Sequence, residues 1–415
     1  MKDLVDRTGI MDFLSELDLP QPGSNRGYSP HQIIECFWVS IWAGAGRFSH
    51  SALLRYDKVL QQIFGWKDAP SQSTFSRFFQ KFSWKKNTET FVPLQSWMLN
   101  QITLDNLTVD LDSSVITRYG EQQGSKRGYN PQKPGRNSHH PLMAFIPQLR
   151  MVANAWLRPG NTVALSSYKD FLNETLEILS KKKIGLIRAD SGFYANDFLE
   201  YFEQRFIKYI VAVKMFPTIK SELRSLKNWV SLKDGIQVCE FTYQSPEWKI
   251  PRRMVAVRKN IRILPKSTGK LLLFEDQIET FRYSVYITNL DLPADTVWTT
   301  YKDRGDAENR IKELKYDFGL DSFCMKKFWA TEAAFRFIMV AYNLMSMFRF
   351  LVLQTKSQAT LSTLRFKCFA LGSWVSKHAG ITTLKLSASG QKKIWLDGLF
   401  SKVGDVSPPY IFSNA

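Results

Sequence analysis

The chain has 415 residues, which is enough for two or three domains with substantial cores. Its hydrophobic and charged fractions, 44% and 23%, are ordinary for a globular protein, and its four dispersed cysteines indicate neither a disulfide framework nor a zinc site. The formal net charge of +18 indicates a polyanionic partner. Nucleic acid fits better than a membrane surface, because the most apolar stretch, residues 337–348, is shorter than the ~20 residues of a membrane span.

Residues 1–100 have the pattern of a helical region. Ser29 followed by Pro30 marks the start of one helix. In residues 70–82, phenylalanines recur at helical spacing and predict a buried stripe. The residues left on the outer face are Thr74, Arg77 and Lys81. This pattern fits the groove-reading helix of a helix-turn-helix motif, and it fits a plain amphipathic helix equally well.

Residues 107–116 alternate between apolar and polar side chains, which predicts a half-buried strand. Asp110 and Asp112 share one face of it, ~6.6 Å apart along the strand, where two carboxylates repel each other without a cation. Aspartate is depleted in strands, so the pair needs a reason to be there. Either the face is solvated at a sheet edge, or it holds a metal ion.

The segment after this strand is strongly basic. Between residues 118 and 158 a single acid, Glu121, stands against seven basic residues: Arg118, Lys126, Arg127, Lys133, Arg136, Arg150 and Arg158. Glycines and prolines predict an open loop over its first half, followed by two antiparallel strands. A flexible basic loop of this kind is well placed to bind a phosphate backbone, through Arg118, Lys126, Arg127 and Arg136.

A second candidate acid ends a short apolar strand. Residues 184–193 follow a predicted helix and read as a buried parallel strand that finishes at Asp190. The carboxyl ends of such strands are where open α/β sheets place their chemistry. The alternative is that Asp190 only opens an Asp-Ser-Gly turn.

Residues 240–289 change to short alternating runs, at 238–243, 254–258, 271–274 and 281–288, which predict a β-rich insertion. Eight basic residues and no acid lie between positions 249 and 270, so the insertion brings a second positive surface.

Residues 299–315 are rich in helix formers and predict one helix, capped at Thr299 and Thr300. At about 100° per residue, four side chains fall within ~60° of one another: Tyr301, Arg304, Glu308 and Lys315. A carboxylate beside a guanidinium, an ammonium and a phenol suits a site for a divalent cation and phosphate. The alternative is a solvated helix face with chance ion pairs.

The spacing Tyr301-x2-Arg304-x3-Glu308-x6-Lys315 resembles the signature of bacterial insertion-sequence transposases of the DDE type. The runs Gly-Tyr-Asn-Pro at 128–131 and Gly-Arg-x-Ser-x-His-Pro at 135–141 also resemble that group, as does the β-rich insertion. The resemblance implies a ribonuclease-H-like core in which Asp112, Asp190 and Glu308 are the metal-binding carboxylates. Asp112 matches the first acid because small hydroxyl residues follow it.

The resemblance also implies the chemistry. Two Mg²⁺ ions, with Mn²⁺ as a substitute, would lie ~3.5–4 Å apart and serve an in-line displacement at phosphorus. Arg304 and Lys315 would hold phosphate, and Tyr301 would donate a hydrogen bond near it. Relatives can pass through a DNA hairpin with a flipped base on an aromatic ring. Trp298 and Trp329 are candidates for that ring, although most tryptophans belong to cores.

The predicted fold is α/β: a ribonuclease-H-like mixed sheet flanked by helices. A buried helix over 330–352 is expected to cover the sheet, and another helix is expected over 361–378. The predicted segments are a helical N-terminal DNA-binding region (1–100), the first part of the catalytic core (101–215), the β-rich insertion (216–292), the last part of the core (293–352) and a C-terminal helical region (353–415).

The expected function is a cut-and-paste DNA transposase. Its partners would be double-stranded terminal inverted repeats and target DNA, bound by a homodimer in a synaptic complex, because two transposon ends must be paired. The N-terminus lacks an apolar signal region, so we expect a cytoplasmic, nucleoid-associated bacterial protein that binds no membrane. The alternatives are a Mg²⁺-dependent nuclease of the same fold, or a domesticated DNA-binding protein without activity.

Overall fold

A computed structural model describes residues 1–24, 27–260, 281–355 and 358–412. The helices are α1 (Lys2–Thr8), α2 (Ile10–Glu16), α3 (Pro30–Ala43), α4 (Ala52–Tyr56), α5 (Lys58–Phe64), α6 (Gln72–Phe79), α7 (Trp84–Asn100), α8 (Tyr168–Ile178), α9 (Asn196–Glu203), α10 (Pro217–Ser225), α11 (Ala294–Lys302), α12 (Gly305–Tyr316), α13 (Phe328–Met347), α14 (Leu361–Leu364) and α15 (Gly390–Gly404). The strands are β1 (Ile102–Thr103), β2 (Leu107–Ser113), β3 (Ile116–Thr117), β4 (Lys126–Arg127), β5 (Asn137–His139), β6 (Leu142–Ile146), β7 (Met151–Trp156), β8 (Ile184–Ala189), β9 (Tyr209–Ala212), β10 (Val230–Ser231), β11 (Ile236–Tyr243), β12 (Arg252–Asn260), β13 (Phe281–Thr288), β14 (Ser373–His378), β15 (Ile381–Leu386) and β16 (Tyr410–Ile411).

The chain folds into two compact units. Unit 1 consists of Met1–Leu107, Ser113–Lys183 and Ala307–Ala415, and unit 2 consists of Thr108–Asp112 and Ile184–Asp306. The chain passes from one unit to the other within β2, between Lys183 and Ile184 at the start of β8, and within α12.

Unit 1 is built around α13, whose side chains are almost all buried. Helices α3, α6 and α7 and strand β7 pack against it, and Phe337 of α13 makes ring contacts with Phe79, Phe82 and Phe91. Because β7 ends the sheet, its backbone groups need partners there. Asn343 of α13 supplies them: its side chain accepts from the Val152 amide and donates to the Val152 carbonyl, both at 2.8 Å.

Among the described residues, the helical segment Phe328–Leu353 is long and apolar enough to cross a membrane. The apolar segment is therefore longer than the sequence suggested. However, 89% of its most apolar window is buried inside the protein. The helix is therefore the core helix of unit 1, and the prediction of a helix over 330–352 is confirmed.

An ionisable group buried in this core makes the stability of the protein depend on pH. Burial raises the pKa of Glu332 to about 7, while Arg336 opposes the rise and pairs instead with Glu174 at 2.6 Å. The folded protein then keeps a proton that the unfolded chain releases above pH 4.5, so folding stability falls as pH rises from about 4.5 to about 7. We expect this group to cost up to roughly 3 kcal/mol at pH 8.

Glu332→Gln should remove that cost. Urea unfolding of both proteins at pH 5 and pH 8 measures it, and the expected result is a variant that gains stability over the wild type only at the higher pH. Equal differences at the two pH values would mean that Glu332 does not titrate in this range.

Unit 2 contains a mixed sheet with strand order β10-β11-β12-β13-β9-β8-β2. Strands β8 and β9 are parallel. The pairs β9–β13, β13–β12 and β12–β11 are antiparallel. Helix α11 packs on β11 and β12 over an apolar cluster that includes Val255, Tyr286 and Val297. The strands of the predicted insertion therefore extend the sheet that begins with β2, β8 and β9, rather than forming a sheet of their own.

Much of the predicted α/β fold with a mixed sheet is confirmed. Ser29 caps α3, Asp190 follows a parallel strand, and β6 and β7 are antiparallel. The predicted run at 271–274 lies outside the described residues, as do three of the eight basic residues of the second positive surface: Arg262, Lys266 and Lys270.

Outside the candidate site, two predictions of secondary structure are wrong. Residues 361–378 are not one helix: α14 is followed by a π-helical turn, Arg365–Phe369, and then by β14 of a hairpin. Residues 118–140 are not simply an open loop, because they contain β4 and β5, which form a small three-stranded sheet with the preceding strand β3.

Candidate active site

Strand β2 carries its two acids in the interior of the protein. Asp110 is 0% exposed and Asp112 is 8% exposed, so β2 is buried on both faces and the predicted half-buried strand is wrong. Buried carboxylates require compensation by a cation or by hydrogen bonds. Each of the two has an arginine partner in unit 2.

Asp110 is held by Arg188 of β8 in a bidentate ion pair. Arg188 Nε donates to Asp110 Oδ1 at 2.6 Å and Nη2 donates to Oδ2 at 2.8 Å, while Nη1 donates to the carbonyl of Thr300. Burial raises the pKa of Asp110, and Arg188 opposes that rise. One guanidinium thus joins β2, β8 and the end of α11.

Asp112 is held by Arg304. Arg304 Nη2 donates to Asp112 Oδ1 at 2.6 Å and to the carbonyl of Leu111 at 3.1 Å. Burial by itself would lower the pKa of this guanidinium, but Asp112, Tyr301 and Asp190 outweigh it and raise the pKa above the ordinary arginine value. Two acids from separate strands therefore act on one cation.

Asp190 lies at the carboxyl end of β8, where its Oδ1 accepts from the amide of Gly192 at 2.8 Å. It is two residues from Arg188, just as Asp112 is two residues from Asp110. The Arg188–Asp110 pair therefore braces the two strands that carry the candidate acids. Asp190 also opens the turn that was considered as its alternative role, at Ser191–Phe193. In addition, its charge raises the pKa of Arg304.

Tyr301 lies in the same group. Its ring is 4.4 Å from the ring of Tyr286, and burial raises its pKa to about 12, with Arg304 opposing the rise. The phenol is therefore neutral at physiological pH and keeps a proton to donate.

The predicted helix over 299–315 is broken. Tyr301 lies near the end of α11, which begins at Ala294, and a turn at Asp303 and Arg304 separates it from α12. Gly305, which costs a helix interior about 1 kcal/mol relative to alanine, begins the second helix. The stripe calculated for one continuous helix is therefore wrong, because Arg304 belongs to neither helix.

Glu308 and Lys315 belong to unit 1, on α12. The side chain of Glu308 is exposed, and Lys315 Nζ donates to the carbonyl of Val115 at 3.0 Å. Among the described residues, no three side chains of His, Cys, Asp or Glu are grouped closely enough to hold a metal ion. The convergence of Glu308 with the two aspartates thus stays a prediction.

Comparison with known proteins identifies the family. The family model described as "Transposase DDE domain group 1" matches residues 1–406. The chain belongs to this family of DDE transposases. The resemblance seen in the sequence is thereby confirmed, and the protein is an enzyme of a family that uses divalent metal ions.

Among solved structures, the fold is similar to a cryo-EM structure of a piggyBac transposase synaptic complex with hairpin DNA. The identity is 11%, the match covers 88% of this chain and 76% of that chain, and the TM-score is 0.47. No curated protein matches the sequence.

The donor chemistry of the transposase fits a hard divalent cation. Asp112 and Asp190 offer carboxylate oxygens, the ligands that Mg²⁺ and Mn²⁺ prefer. The negative charges of Asp112 and Asp190 both raise the pKa of Arg304, so unit 2 holds the two acids near a positive charge.

The predicted DNA-binding residues of the loop divide into two sets. Lys126, Arg127 and Arg136 are exposed on or next to the small sheet of unit 1, where they can reach a phosphate backbone. Arg118 is buried: its Nε donates to His139 Nδ1 at 3.0 Å and its Nη1 to the carbonyl of Asp321 at 2.6 Å. Its contact with DNA stays a prediction.

The motif residues of this loop have structural roles. A Cβ at Gly128 would lie 1.9 Å from the carbonyl oxygen of Gly160, so only glycine fits there. Asn130 donates to Thr117 Oγ1 at 3.0 Å and accepts from the amide of Lys133 at 3.0 Å. These contacts hold the strands that present the basic side chains.

The two tryptophans proposed for base stacking are both half-buried. Trp298 packs against the apolar cluster of unit 2, and Trp329 lies against Phe328 in unit 1 with ring centroids 4.9 Å apart. Their stacking on a base is untested.

Two residues of the site were missed in the sequence. Arg188 interrupts an apolar strand, and a charged residue at a buried position requires a partner, which Asp110 provides. Asp306 is not among the four residues of the predicted stripe, yet it acts on Asp110 and raises its pKa. The charge of Arg188 within an apolar strand was readable in the sequence. The position of Asp306 depends on the break between α11 and α12, which was not predicted.

Proposed function

We propose that this transposase cuts DNA at the ends of a mobile element and joins those ends to target DNA by in-line phosphoryl transfer. Asp112, Asp190 and Glu308 would hold two Mg²⁺ ions. The observation that carries the proposal is the grouping of Asp112, Asp190, Tyr301 and Arg304 in unit 2, in a chain of the DDE family.

Each residue has a chemical role in this proposal. Arg304 places a positive charge beside Asp112 that suits a phosphate oxygen, and Tyr301 offers a phenol proton to the same region. Lys315 would neutralise phosphate along the DNA backbone. When bound, the metal ions supply Lewis-acid activation of the attacking hydroxyl and stabilisation of the leaving oxygen.

The braced strands explain how the acids keep their positions. In-line transfer requires reacting groups that are fixed within fractions of an ångström before the reaction starts. The bidentate Arg188–Asp110 pair joins β2 to β8 two residues before Asp112 and Asp190 on their strands. We therefore assign positioning roles to Arg188 and Asp110.

The proposed partners are double-stranded terminal inverted repeats and target DNA, gripped in part by Lys126, Arg127 and Arg136. The proposed assembly is a homodimer that pairs two transposon ends, in the bacterial cytoplasm. A net charge of +18 supports association with DNA at the nucleoid.

The test is an assay on DNA that carries the sequences flanking the coding region, with Mg²⁺ and a supercoiled target plasmid. The wild type should release the ends and join them to the plasmid, and Asp190→Asn should do neither. Cleavage without joining would favour a nuclease. Binding without cleavage would favour a domesticated DNA-binding protein.

A further inference from the structure

A cleft in the C-terminal part of unit 1 has no role in the chemistry described above. It has a volume of about 570 Å³, within the ~300–1,000 Å³ typical of ligand sites. Its walls are the end of the α13 segment, the π-helical turn after α14 and the first turns of α15. The lining residues are Leu353, Thr355, Ala359, Leu364, Phe366, Lys367, Gln391, Lys392 and Trp395.

The cleft combines aromatic faces with positive charge. Phe366 is 79% exposed and Trp395 is 39% exposed, although burying either ring would be favourable. Lys367 and Lys392 both line the cleft, and both lie close enough to the buried thiol of Cys368 to act on it electrostatically. In the described part of the chain, no carboxylate forms an ion pair with either lysine.

The surrounding sequence is free of acids. Residues 366–396 contain neither aspartate nor glutamate and five exposed lysines: Lys367, Lys377, Lys385, Lys392 and Lys393. Such a surface attracts a polyanion, and it disfavours a second copy of the chain, because a two-fold contact through this face would bring the same lysines together. Charge therefore selects nucleic acid as the occupant.

The walls of the cleft are fixed by the core. Leu361 and Leu364 are 0% and 1% exposed, and the ring of Phe369 contacts that of Phe348 at 5.9 Å. Rigid exposed aromatics beside lysines form a platform on which unpaired bases stack while the phosphates meet the ammonium groups. Duplex DNA hides its base faces, so it cannot use such a platform.

We propose that this cleft binds single-stranded DNA, with bases stacked on Phe366 and Trp395 and phosphates at Lys367 and Lys392. Unpaired strands arise wherever a transposon end is opened for cleavage. The inference stands apart from the catalytic proposal, since it concerns binding at another site.

The test uses the full chain and a fluorescein-labelled oligo(dT) of twenty nucleotides, with binding followed by anisotropy over a range of salt concentrations. Phe366→Ala should weaken binding roughly 10-fold, the effect of losing one stacked base. Lys392→Ala should reduce the slope of log K against log salt by about 0.7, the value for one phosphate contact on a single strand.

Matched controls lie on α15, the helix that carries Lys392 and Trp395. Phe400→Ala removes an exposed ring outside the cleft, and Lys393→Ala removes the adjacent charge, which does not line it. Both should bind the oligonucleotide as the wild type does. The readout is binding and requires no cleavage, which separates this result from any failure of catalysis.

Two outcomes would overturn the proposal. One is equal loss of affinity for a twenty-base-pair duplex and for oligo(dT) in Phe366→Ala, because stacking on unpaired bases predicts a loss confined to the single strand. The other is unchanged oligo(dT) binding in both cleft variants. If light scattering then shows that the cleft variants have shifted from dimer to monomer, the face belongs to a contact with a second copy of the chain.

Discussion

Asp112→Asn should reduce the rate of DNA cleavage on the order of 10³-fold or more, in line with the loss of essential catalytic groups in other enzymes. An amide keeps an oxygen for Arg304, whose Nη2 donates to Asp112 Oδ1 at 2.6 Å, so the local fold should survive. It lacks the negative charge that a divalent cation requires. The measurement is single-turnover cleavage of end-bearing DNA in Mg²⁺, together with the Kd for the same DNA.

Asp303→Asn is the matched control, because Asp303 is exposed and immediately precedes Arg304. It should cleave at the wild-type rate, and both variants should bind DNA with nearly unchanged affinity. A rate for Asp112→Asn within a few-fold of the wild type would remove Asp112 from the site.

Arg188→Met should destabilise the protein by about 3–5 kcal/mol, the usual cost of leaving a buried charge without its partner. Asp110 is fully buried, and both of its carboxylate oxygens accept from Arg188, which also donates to the carbonyl of Thr300. Cleavage should fall as well, since Asp112 and Asp190 lose the bridge between their strands. Urea unfolding and the cleavage assay measure the two effects.

A double variant separates charge from packing. Asp110→Leu combined with Arg188→Met leaves no unpaired charge and should recover most of the lost stability. In the double-mutant cycle, the change in the free energy of unfolding of the double variant should therefore be far from the sum of the two single changes. Arg253→Met is the comparison at a more solvated pair, because the side chains of Arg253 and its partner Glu240 are 27% and 58% exposed, and it should cost about 1 kcal/mol or less. Additive losses in the cycle would show that Arg188 and Asp110 act independently.

Local signals in the sequence predicted several elements well. Ser29 and Pro30 start α3 as expected, since the serine side chain accepts from the amide of Gln32. The phenylalanines of α6 are buried as their spacing indicates, although the role of that helix in DNA recognition is untested. The strand ending at Asp190 was readable because an apolar run bounded by a turn has few alternatives.

Other features depend on contacts that a local pattern does not contain. The alternation in β2 is that of a half-buried strand, but Arg188 and Arg304 neutralise its acids and allow both faces to be buried. The break between α11 and α12 is marked only by Gly305, amid strong helix formers. The C-terminal hairpin replaced a predicted helix because Gly380 adopts a positive φ of 79° at its turn, a conformation natural to glycine.

The candidate site was predicted in part. The sequence identified Asp112, Asp190, Tyr301 and Arg304, and the structure groups them within unit 2. It missed the brace formed by Arg188 and Asp110. The charge of Arg188 within an apolar strand was readable, but no local pattern identifies a partner 78 positions away.

The central claim is that Asp112, Asp190 and Glu308 bind the same metal centre. Replacing Mg²⁺ by Fe²⁺ and adding ascorbate and peroxide to the DNA-bound enzyme generates hydroxyl radicals at that centre, which cut the nearby backbone. The account predicts peptide cuts beside all three acids, each suppressed by excess Mg²⁺. Cuts beside Asp112 and Asp190 with none beside Glu308 would contradict it.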